Sequence, residues 1–266
     1  MLRYITRKFS SFTNSFTWGV WSIPAPEKQA KGGEDAYFAS PRALAIADGV
    51  GGWASYGVDP SKYAWELMRN VEKSLSSIED NHSPFFVLKD ASKNTKEVGS
   101  STCCLLILDP EKPELHSGNI GDSGFILYRY SDNELSVPFK ADTTSHGFNY
   151  PYQLGTDGDS PERASFSTVT VQDKDLIVMF TDGLSDNVFD EQVASIVKPF
   201  LALSDIPDME IIAEMLAEKA KAQSENEGWE SPFAVAAKRV PSYSWEGGKP
   251  DDITVFVAQI NLKSIE

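Results

Sequence analysis

Apolar residues along the chain follow two different spacings, and each spacing predicts one type of element. Short apolar runs that end at turn residues predict buried strands at 43–47, 102–108, 115–120, 125–130, 168–171, 176–180 and 253–260. Apolar residues at helical spacing predict a helix that begins at Pro60, with Asp59 as its N-cap, and two more at 191–203 and 208–222. Pro199 predicts a kink or an end at that point of the second helix.

Two four-residue turns, at 121–124 and 172–175, each lie between two predicted strands. Turns this short are typical of hairpins, so we expect antiparallel pairing rather than a parallel sheet. Hairpins together with paired helices predict an α+β sandwich. Beyond about Gly32 no low-complexity linker interrupts the pattern, which indicates one domain.

The chain's two cysteines, Cys103 and Cys104, are neighbours in a predicted strand. Consecutive side chains of a strand point to opposite faces, so a disulfide between these two residues is disfavoured. We expect both to be small buried hydrophobic residues in a reducing compartment.

The first 26 residues differ in composition from the rest of the chain. They contain three bases, no acid and many Ser and Thr residues. Their apolar residues follow a helical spacing, with one stripe formed by Leu2, Ile5, Phe9, Phe12 and Phe16. Such a segment is typical of a mitochondrial transit peptide, so we expect a leader at 1–26 and one domain at 27–266. A first helix or a tail of that domain is the alternative.

The net charge restricts the possible partners. With 24 Lys and Arg against 39 Asp and Glu, the chain has a formal charge of −15, whereas nucleic-acid-binding faces are basic. We therefore expect no nucleic-acid partner. No apolar run approaches the roughly 18 residues of a membrane-crossing helix, so we also expect no transmembrane segment.

Acidic residues stand at the ends of five predicted strands: Glu34 with Asp35, Asp48, Asp122, Asp182 and Asp251. Each one alone is most simply a turn residue. If the strand ends converge, however, these carboxylates crowd at one edge of the sheet and repel one another. Carboxylates, carbonyls and water are the ligands that Mg²⁺ and Mn²⁺ prefer, so the pattern predicts an oxygen-ligated two-metal site. No Cys/His spacing in the chain indicates zinc.

Six segments in the chain match, in order, the motifs of one known family. They are GED at 33–35, ADGVGG at 47–52, GSST at 99–102, GNIGDS at 118–123, FTDGL at 180–184 and DDITV at 251–255. In these segments the sequence resembles the metal-dependent serine/threonine protein phosphatases of type 2C. The segments 48–60 and 148–154 resemble, more specifically, the mitochondrial phosphatase-seven-like branch of that family.

The resemblance implies a four-layer α-β-β-α sandwich of two antiparallel sheets flanked by helices, with two Mn²⁺ or Mg²⁺ ions at one edge. Asp48 would bridge the two ions, and the carbonyl of Gly49 would bind one of them. The remaining ligands would be Glu34, Asp35, Asp182 and Asp251, and Asp122 matches a third, weaker metal site. The implied reaction is attack of a metal-bridging hydroxide on the phosphorus of phosphoserine or phosphothreonine, centred on Asp48 and Asp182.

Some positions depart from the family's pattern. Val50 stands where many members have a histidine proposed as the general acid. The family's phosphate-gripping arginine is absent; Lys28 and Lys31 are the nearest bases, and we assign the phosphate contact to Lys31. His146 lies beside the branch-specific segment 148–154, but we expect a plain loop histidine there.

These features predict a metal-dependent protein serine/threonine phosphatase of the mitochondrial matrix, acting on phosphoproteins. One alternative is a pseudophosphatase that keeps the fold as a binding module. The retained metal carboxylates argue against it. A dehalogenase-type enzyme requires an Asp-x-Asp pair, and Val50 occupies the second position of that pair after Asp48. A small-molecule phosphatase on the same fold stays open, because loops decide substrate choice.

Overall fold

The computed structural model describes residues 13–77, 83–203, 208–241 and 243–263. Its strands are β1 (Ser15–Ile23), β2 (Asp35–Ala39), β3 (Ala43–Asp48), β4 (Ser100–Ser101), β5 (Cys103–Leu108), β6 (Glu114–Ile120), β7 (Gly124–Ser131), β8 (Glu134–Lys140), β9 (Ser145–Gly147), β10 (Tyr150–Pro151), β11 (Leu154–Gly155), β12 (Ser165–Thr170), β13 (Leu176–Phe180) and β14 (Ile253–Asn261). Its α-helices are α1 (Pro60–Ser77), α2 (Pro84–Asn94), α3 (Asp182–Ser185), α4 (Asp190–Leu201), α5 (Met209–Ser224) and α6 (Pro232–Ala237).

Ten of these strands form two five-stranded sheets. Sheet I has the strand order β1-β14-β13-β7-β8, and sheet II has the order β12-β6-β5-β3-β2. Neighbouring strands are antiparallel throughout both sheets. The short strands form two further antiparallel pairs, β4 with β11 and β9 with β10.

Three apolar layers hold the sandwich together. Between the sheets, Leu44 and Leu106 of sheet II pack with Phe125 and Phe256 of sheet I. Helices α1 and α2 cover the outer face of sheet II, and α4 and α5 cover the outer face of sheet I. The expected four-layer α-β-β-α sandwich is therefore confirmed. Cys103 faces the helices and Cys104 faces the other sheet, and both are buried free thiols, as predicted.

Both predicted hairpins are wrong. Strands β6 and β7 lie in different sheets, and so do β12 and β13, so the turns at 121–123 and 171–175 cross the sandwich from sheet II to sheet I. A turn sequence determines where a strand ends, but not which strand the next one pairs with. Because β5, β6, β7 and β13 are buried on both faces over most of their lengths, their alternation pattern could not distinguish the two sheets.

The predicted helices are present. Helix α1 begins at Pro60, α5 begins after Asp208, whose carboxylate accepts a hydrogen bond from the Glu210 amide, and α4 ends at Leu201. Pro199 therefore lies within α4, two residues before its end. Among the helices of the described segments, none is both long and apolar enough to cross a membrane.

The chain before residue 26 contributes a strand to sheet I. β1 pairs with β14 over nine residues, from Ser15 opposite Asn261 to Ile23 opposite Ile253, and Phe16 is buried between the sheets. The helical stripe predicted to reach Phe16 is wrong at that residue, while its other members, Leu2, Ile5, Phe9 and Phe12, lie outside the described residues. Cleavage at residue 26 would remove an edge strand from the sandwich.

Candidate metal centre

Strand pairing brings the acidic strand ends together. Asp48 is the last residue of β3 and lies in register opposite Asp35, the first residue of β2. The backbone of Asp48 is fixed by Thr102, which accepts a hydrogen bond from the Asp48 amide at 3.1 Å and donates its own amide to the Asp48 carbonyl at 3.0 Å. Sheet II thus holds two of the predicted ligands at one edge.

Sheet I supplies the opposite side of this edge. Asp182 follows β13 and Asp251 precedes β14, and these two strands are antiparallel neighbours, so the two acids lie at the same end of the sheet. Asp122 lies in the turn that crosses from β6 to β7. We call the edge formed by Glu34, Asp35, Asp48, Asp122, Asp182 and Asp251 the acidic rim.

Asp35 joins the two sheets at the acidic rim. Its Oδ2 atom accepts hydrogen bonds from the hydroxyls of Thr181 at 3.0 Å and Thr254 at 2.7 Å, both on sheet I strands or their ends. Thr181 and Thr254 also bond each other through backbone and hydroxyl groups. The Asp35 carboxylate is therefore oriented by the opposite sheet, which leaves its Oδ1 atom directed elsewhere.

Four carboxylate oxygens at the acidic rim are buried and accept no hydrogen bond from any described residue: Glu34 Oε2, which forms an ion pair with Lys28, and Asp35 Oδ1, Asp122 Oδ1 and Asp182 Oδ1. An unsatisfied buried oxygen costs several times what an ordinary hydrogen bond contributes, so native structures rarely leave one without a partner. Hard divalent cations are bound by such oxygens. The residues present therefore fit an oxygen-ligated metal centre.

The acidic rim also perturbs the pKa values of its members. Burial, followed by the charges of Asp182 and Asp35, raises the pKa of Asp48 well above its usual range. Burial and then Asp182 raise the pKa of Asp122 to about 7. Crowded carboxylates that favour the neutral form indicate a site built for added positive charge.

Lys249, which the sequence prediction missed, is the main internal cation of the acidic rim. Its Nζ atom lies 2.7 Å from Asp182 Oδ2, 2.5 Å from Asp186 Oδ2 and 3.8 Å from Asp251 Oδ2. Burial opposes ionisation of Asp182, but the charge and hydrogen bond of Lys249 outweigh it and lower the pKa of that carboxyl. Burial raises the pKa of Asp186 to about 8 despite Lys249. Asp186 lies one helical turn after Asp182, and this spacing was the feature of the sequence that could have indicated a second acid beside Asp182 and a base paired with both.

Lys28 is the second cation at the acidic rim. Its Nζ atom lies 2.7 Å from Glu34 Oε2, 3.2 Å from Asp251 Oδ1 and 3.2 Å from Asp252 Oδ2. Lys31, the predicted phosphate contact, is exposed at the end of the 3₁₀ turn Pro26–Lys31. The structure thus brings Lys28 rather than Lys31 to the acids.

Asp252 acts on the position of Glu34. It is buried, and its two oxygens accept the amides of Ala25 and Glu34, each at 2.7 Å. Gly33, at a φ of +84°, leaves room for this contact, since a Cβ there would stand 3.0 Å from Asp252 Oδ1. Asp252 thereby fixes the segment that carries Glu34 and Asp35.

The glycines after Asp48 and Asp182 allow close backbone approach. A Cβ on Gly49 would stand 2.7 Å from the Glu34 carbonyl oxygen, and one on Gly183 would stand 2.1 Å from the Asp252 carbonyl oxygen. Each Asp-Gly pair therefore packs against the segment that carries the other acids. The role of the Gly49 carbonyl as a ligand stays a prediction.

The two branch-specific segments meet beside the acidic rim. The indole of Trp53 donates to the Ser100 hydroxyl at 2.6 Å, and that hydroxyl donates to the Gln153 side chain at 2.5 Å. Phe148 packs on Phe233 with 4.9 Å between ring centroids, and Phe233 lies 4.9 Å below the Lys249 ammonium. The second segment is thus linked to the rim through Lys249.

Val50 and His146 do not join the acids. The Val50 amide donates to the Ser100 carbonyl at 3.0 Å. His146 is exposed; its Nε2 lies 3.0 Å from Asp159 Oδ2, and its ring packs between those of Tyr150 and Tyr152. These contacts are those of a loop histidine.

The family model described as Protein phosphatase 2C matches residues 34–219, well over half of the chain. The chain belongs to the protein phosphatase 2C family, the metal-dependent protein serine/threonine phosphatases. The match begins at Glu34 and ends before Asp251, so the C-terminal acid of the rim lies beyond it.

Curated relatives agree with this family. "Probable protein phosphatase 2C 26" of Arabidopsis thaliana is 39% identical over 92% of this chain and 84% of its own length. "Protein phosphatase PTC7 homolog fig" of Drosophila mojavensis is 37% identical over 86% of this chain and 78% of its own length. "Probable protein phosphatase 2C 80" of Arabidopsis thaliana is 38% identical over 91% of this chain, which spans 58% of that protein's length.

Solved structures show the same fold. The photosystem II phosphatase PBCP superposes with a TM-score of 0.84 at 34% identity, over 94% of this chain and all of that one. The catalytic domain of the phosphatase PstP, solved with two manganese ions, superposes with a TM-score of 0.60 at 20% identity, over 94% of this chain and all of that one.

Proposed function

We propose that the acidic rim binds two Mn²⁺ or Mg²⁺ ions and hydrolyses phosphoserine and phosphothreonine in proteins. The observation that carries this proposal is the set of four buried carboxylate oxygens, on Glu34, Asp35, Asp122 and Asp182, that lack a hydrogen-bond partner within the described residues. The two manganese ions in the structure of PstP, which shares the fold, support the same stoichiometry. When bound, the cations acidify the attacking water and neutralise the phosphate oxygens.

The chain's own residues prepare this site. Asp48 and Asp182 come from different sheets and face each other across the rim. Lys249 donates a hydrogen bond to Asp182 Oδ2, and Asp182 Oδ1, which has no hydrogen-bond partner among the described residues, would be the oxygen that binds a metal ion. Lys28 lies at the rim as the base nearest to Glu34, and we infer that it, rather than Lys31, contacts the substrate phosphate as a point charge.

The test uses the full-length chain and a phosphothreonine peptide. After removal of metal with a chelator, we expect no hydrolysis, and we expect addition of Mn²⁺ or Mg²⁺ to restore it. Asp182→Asn should stay inactive with either ion, whereas Asp132→Asn, in an exposed turn at a φ of 53° that asparagine tolerates, should behave as the wild type. Metal-independent hydrolysis, or an active Asp182→Asn variant, would contradict the proposal.

A folded chain that binds Mn²⁺ yet hydrolyses neither peptide nor a small phosphate ester would favour the pseudophosphatase alternative. Hydrolysis of small esters without hydrolysis of phosphopeptides would favour the small-molecule phosphatase. The ratio of the two rates therefore separates the alternatives within one experiment.

We also propose mitochondrial import, with the signal in the residues that precede β1. The basic composition of that segment and the relatives named PTC7 homolog support it. Deletion of residues 2–12 should abolish import of the tagged chain into isolated mitochondria and leave phosphatase activity unchanged. Import of the shortened chain at the wild-type level would refute the location of the signal.

A further inference from the structure

A second cluster of ligand-type side chains lies at the other end of β6. Asp122 follows the last residue of β6, while Glu114 is its first residue and His116 its third. A seven-residue strand is about 20 Å long. The turn at 109–113 and the start of β6 are therefore well separated from the acidic rim, and we call Asp109, Glu114 and His116 the turn cluster.

The three side chains of the turn cluster face one another. His116 Nε2 lies 3.9 Å from Glu114 Oε2 and 4.0 Å from Asp109 Oδ2, and the three ligand atoms all lie within 4.8 Å of each other. These separations exceed those of hydrogen bonds. Ligands around one zinc ion, each about 2.0–2.2 Å from it, lie slightly closer together than this, so a small side-chain movement brings all three to one ion.

Two of these side chains, those of His116 and Asp109, are held by neighbouring residues outside the cluster. His116 Nδ1 bonds the Thr168 hydroxyl at 3.0 Å, which orients the ring with Nε2 toward the two acids. Asp109 Oδ1 accepts the amides of Glu111 and Lys112 at 2.8 and 2.7 Å, so its Oδ2 is the oxygen toward His116. Partners of this kind fix the tautomer and geometry of metal ligands.

The turn itself is anchored from the N-terminal side. The buried Asn14 donates its side-chain amide to the carbonyls of Asp109 at 2.9 Å and Lys112 at 2.8 Å. Glu114 and His116 are two residues apart in β6, so their side chains lie on the same face of that strand. The side chains of Asp109 and His116 are 15% and 18% exposed, which keeps them accessible to an ion without full hydration.

We propose that Asp109, Glu114 and His116 form a zinc site that is separate from the acidic rim. An imidazole nitrogen with two carboxylates suits Zn²⁺, whereas the all-oxygen rim suits Mg²⁺ and Mn²⁺. Water completes the coordination. The sequence shows no familiar zinc spacing here, because Asp109 lies across a turn from the other two ligands and none of the three is a cysteine.

The test is a zinc titration of the full-length chain by calorimetry in excess Mg²⁺, which occupies oxygen sites. We expect one zinc ion per chain in the wild type. His116→Asn should bind it at least about tenfold more weakly. His146→Asn is the matched control, since that histidine also faces a carboxylate but belongs to no three-ligand cluster among the described residues, and it should bind zinc as the wild type does.

Asp182→Asn separates the two sites. Zinc binding that survives this variant and fails in His116→Asn supports the turn cluster. Zinc binding lost in Asp182→Asn but kept in His116→Asn, or no zinc binding in excess Mg²⁺, overturns the proposal. Glu114→Gln repeats the test if His116→Asn lacks a cooperative thermal transition, and Co²⁺ in place of zinc should show an absorption band that His116→Asn loses.

Discussion

The two ends of β6 carry two groups of ligand-type residues that the chain assembles in different ways. At the C-terminal end, the acidic rim collects carboxylates from both sheets, separated by more than 200 residues between Glu34 and Asp251. At the N-terminal end, the turn cluster uses three residues within eight positions of the chain, together with Thr168 of the neighbouring strand.

The difference teaches how each group is held in place. Asp35 of the rim is oriented by hydroxyls of the opposite sheet, so the rim exists only when the sandwich has closed. The turn cluster depends on one turn, one strand and Asn14. Changes at the rim should therefore affect activity strongly, whereas changes at the turn should act locally.

The largest effect is expected from Asp48→Asn. Loss of this central carboxylate should lower kcat/KM at least about a thousandfold, equivalent to about 4 kcal/mol of transition-state stabilisation. The fold should persist, because burial and neighbouring acids already disfavour the charged form of Asp48. Phosphopeptide kinetics measure kcat/KM, and circular dichroism measures whether the fold persists. An unfolded variant would show that Asp48 is structural instead.

The next effect concerns the N-terminal segment that meets the turn cluster. Deletion of residues 2–26 removes β1, the buried Phe16 and Asn14, and should lower the free energy of unfolding by at least about 3 kcal/mol. Deletion of residues 2–12 is the control and should leave the free energy of unfolding unchanged. Denaturant unfolding of the two deletion variants measures the difference. Equal stability of both deletions would show that β1 is dispensable.

Lys249→Met tests whether the rim needs its internal cation. Asp182 would lose its partner at 2.7 Å, and we expect Mn²⁺ affinity and kcat to fall about 10–100-fold, the usual cost of removing a group that orients a metal ligand. Calorimetric Mn²⁺ titration provides a readout besides activity. Lys140→Met, which removes an exposed pair with Asp190, is the matched control. Tighter Mn²⁺ binding by Lys249→Met would mean that Lys249 competes with the metal.

The smallest effect should come from Thr168→Val at the turn cluster. It removes the hydroxyl that orients His116, so zinc affinity should fall about tenfold while phosphopeptide hydrolysis stays at the wild-type rate. Ser167→Ala on the same strand is the control. A loss of phosphatase activity in Thr168→Val would break the proposed independence of the two ends of β6.

Much of the fold was readable from local patterns. Most strands of the two sheets, the starts of α1 and α5, and the burial of Cys103 and Cys104 follow from apolar spacing and capping residues, because these depend on near neighbours in the chain. β8 and α2 were not predicted, and β1 was expected to be helical. The pairing of β6 with β5 and β12, rather than with β7, was not readable. Strands buried on both faces have no polar side that indicates their sheet.

The same division applies to the acidic rim. Acidic strand ends predicted which carboxylates converge at one edge, because Asp-Gly turns after apolar strands are a local feature, and the role of each carboxylate stays a prediction. The contribution of Lys249, the selection of Lys28 over Lys31, and the clamp of Asp35 by Thr181 and Thr254 appear only in the closed sandwich. Lysine side chains are long and flexible, so sequence position alone does not determine which acids they reach.

By itself, the sequence determined the family, the type of most elements of the two sheets, three of the helices and most of the acids that meet at the rim. Tertiary structure decided which strands are neighbours, that β1 belongs to the sandwich, and which bases balance the rim. The physical reason is the distance along the chain between the residues that interact. Element type and turn chemistry depend on residues a few positions apart. Charge balance and sheet membership depend on residues that are distant in the chain and come together only when apolar faces are buried.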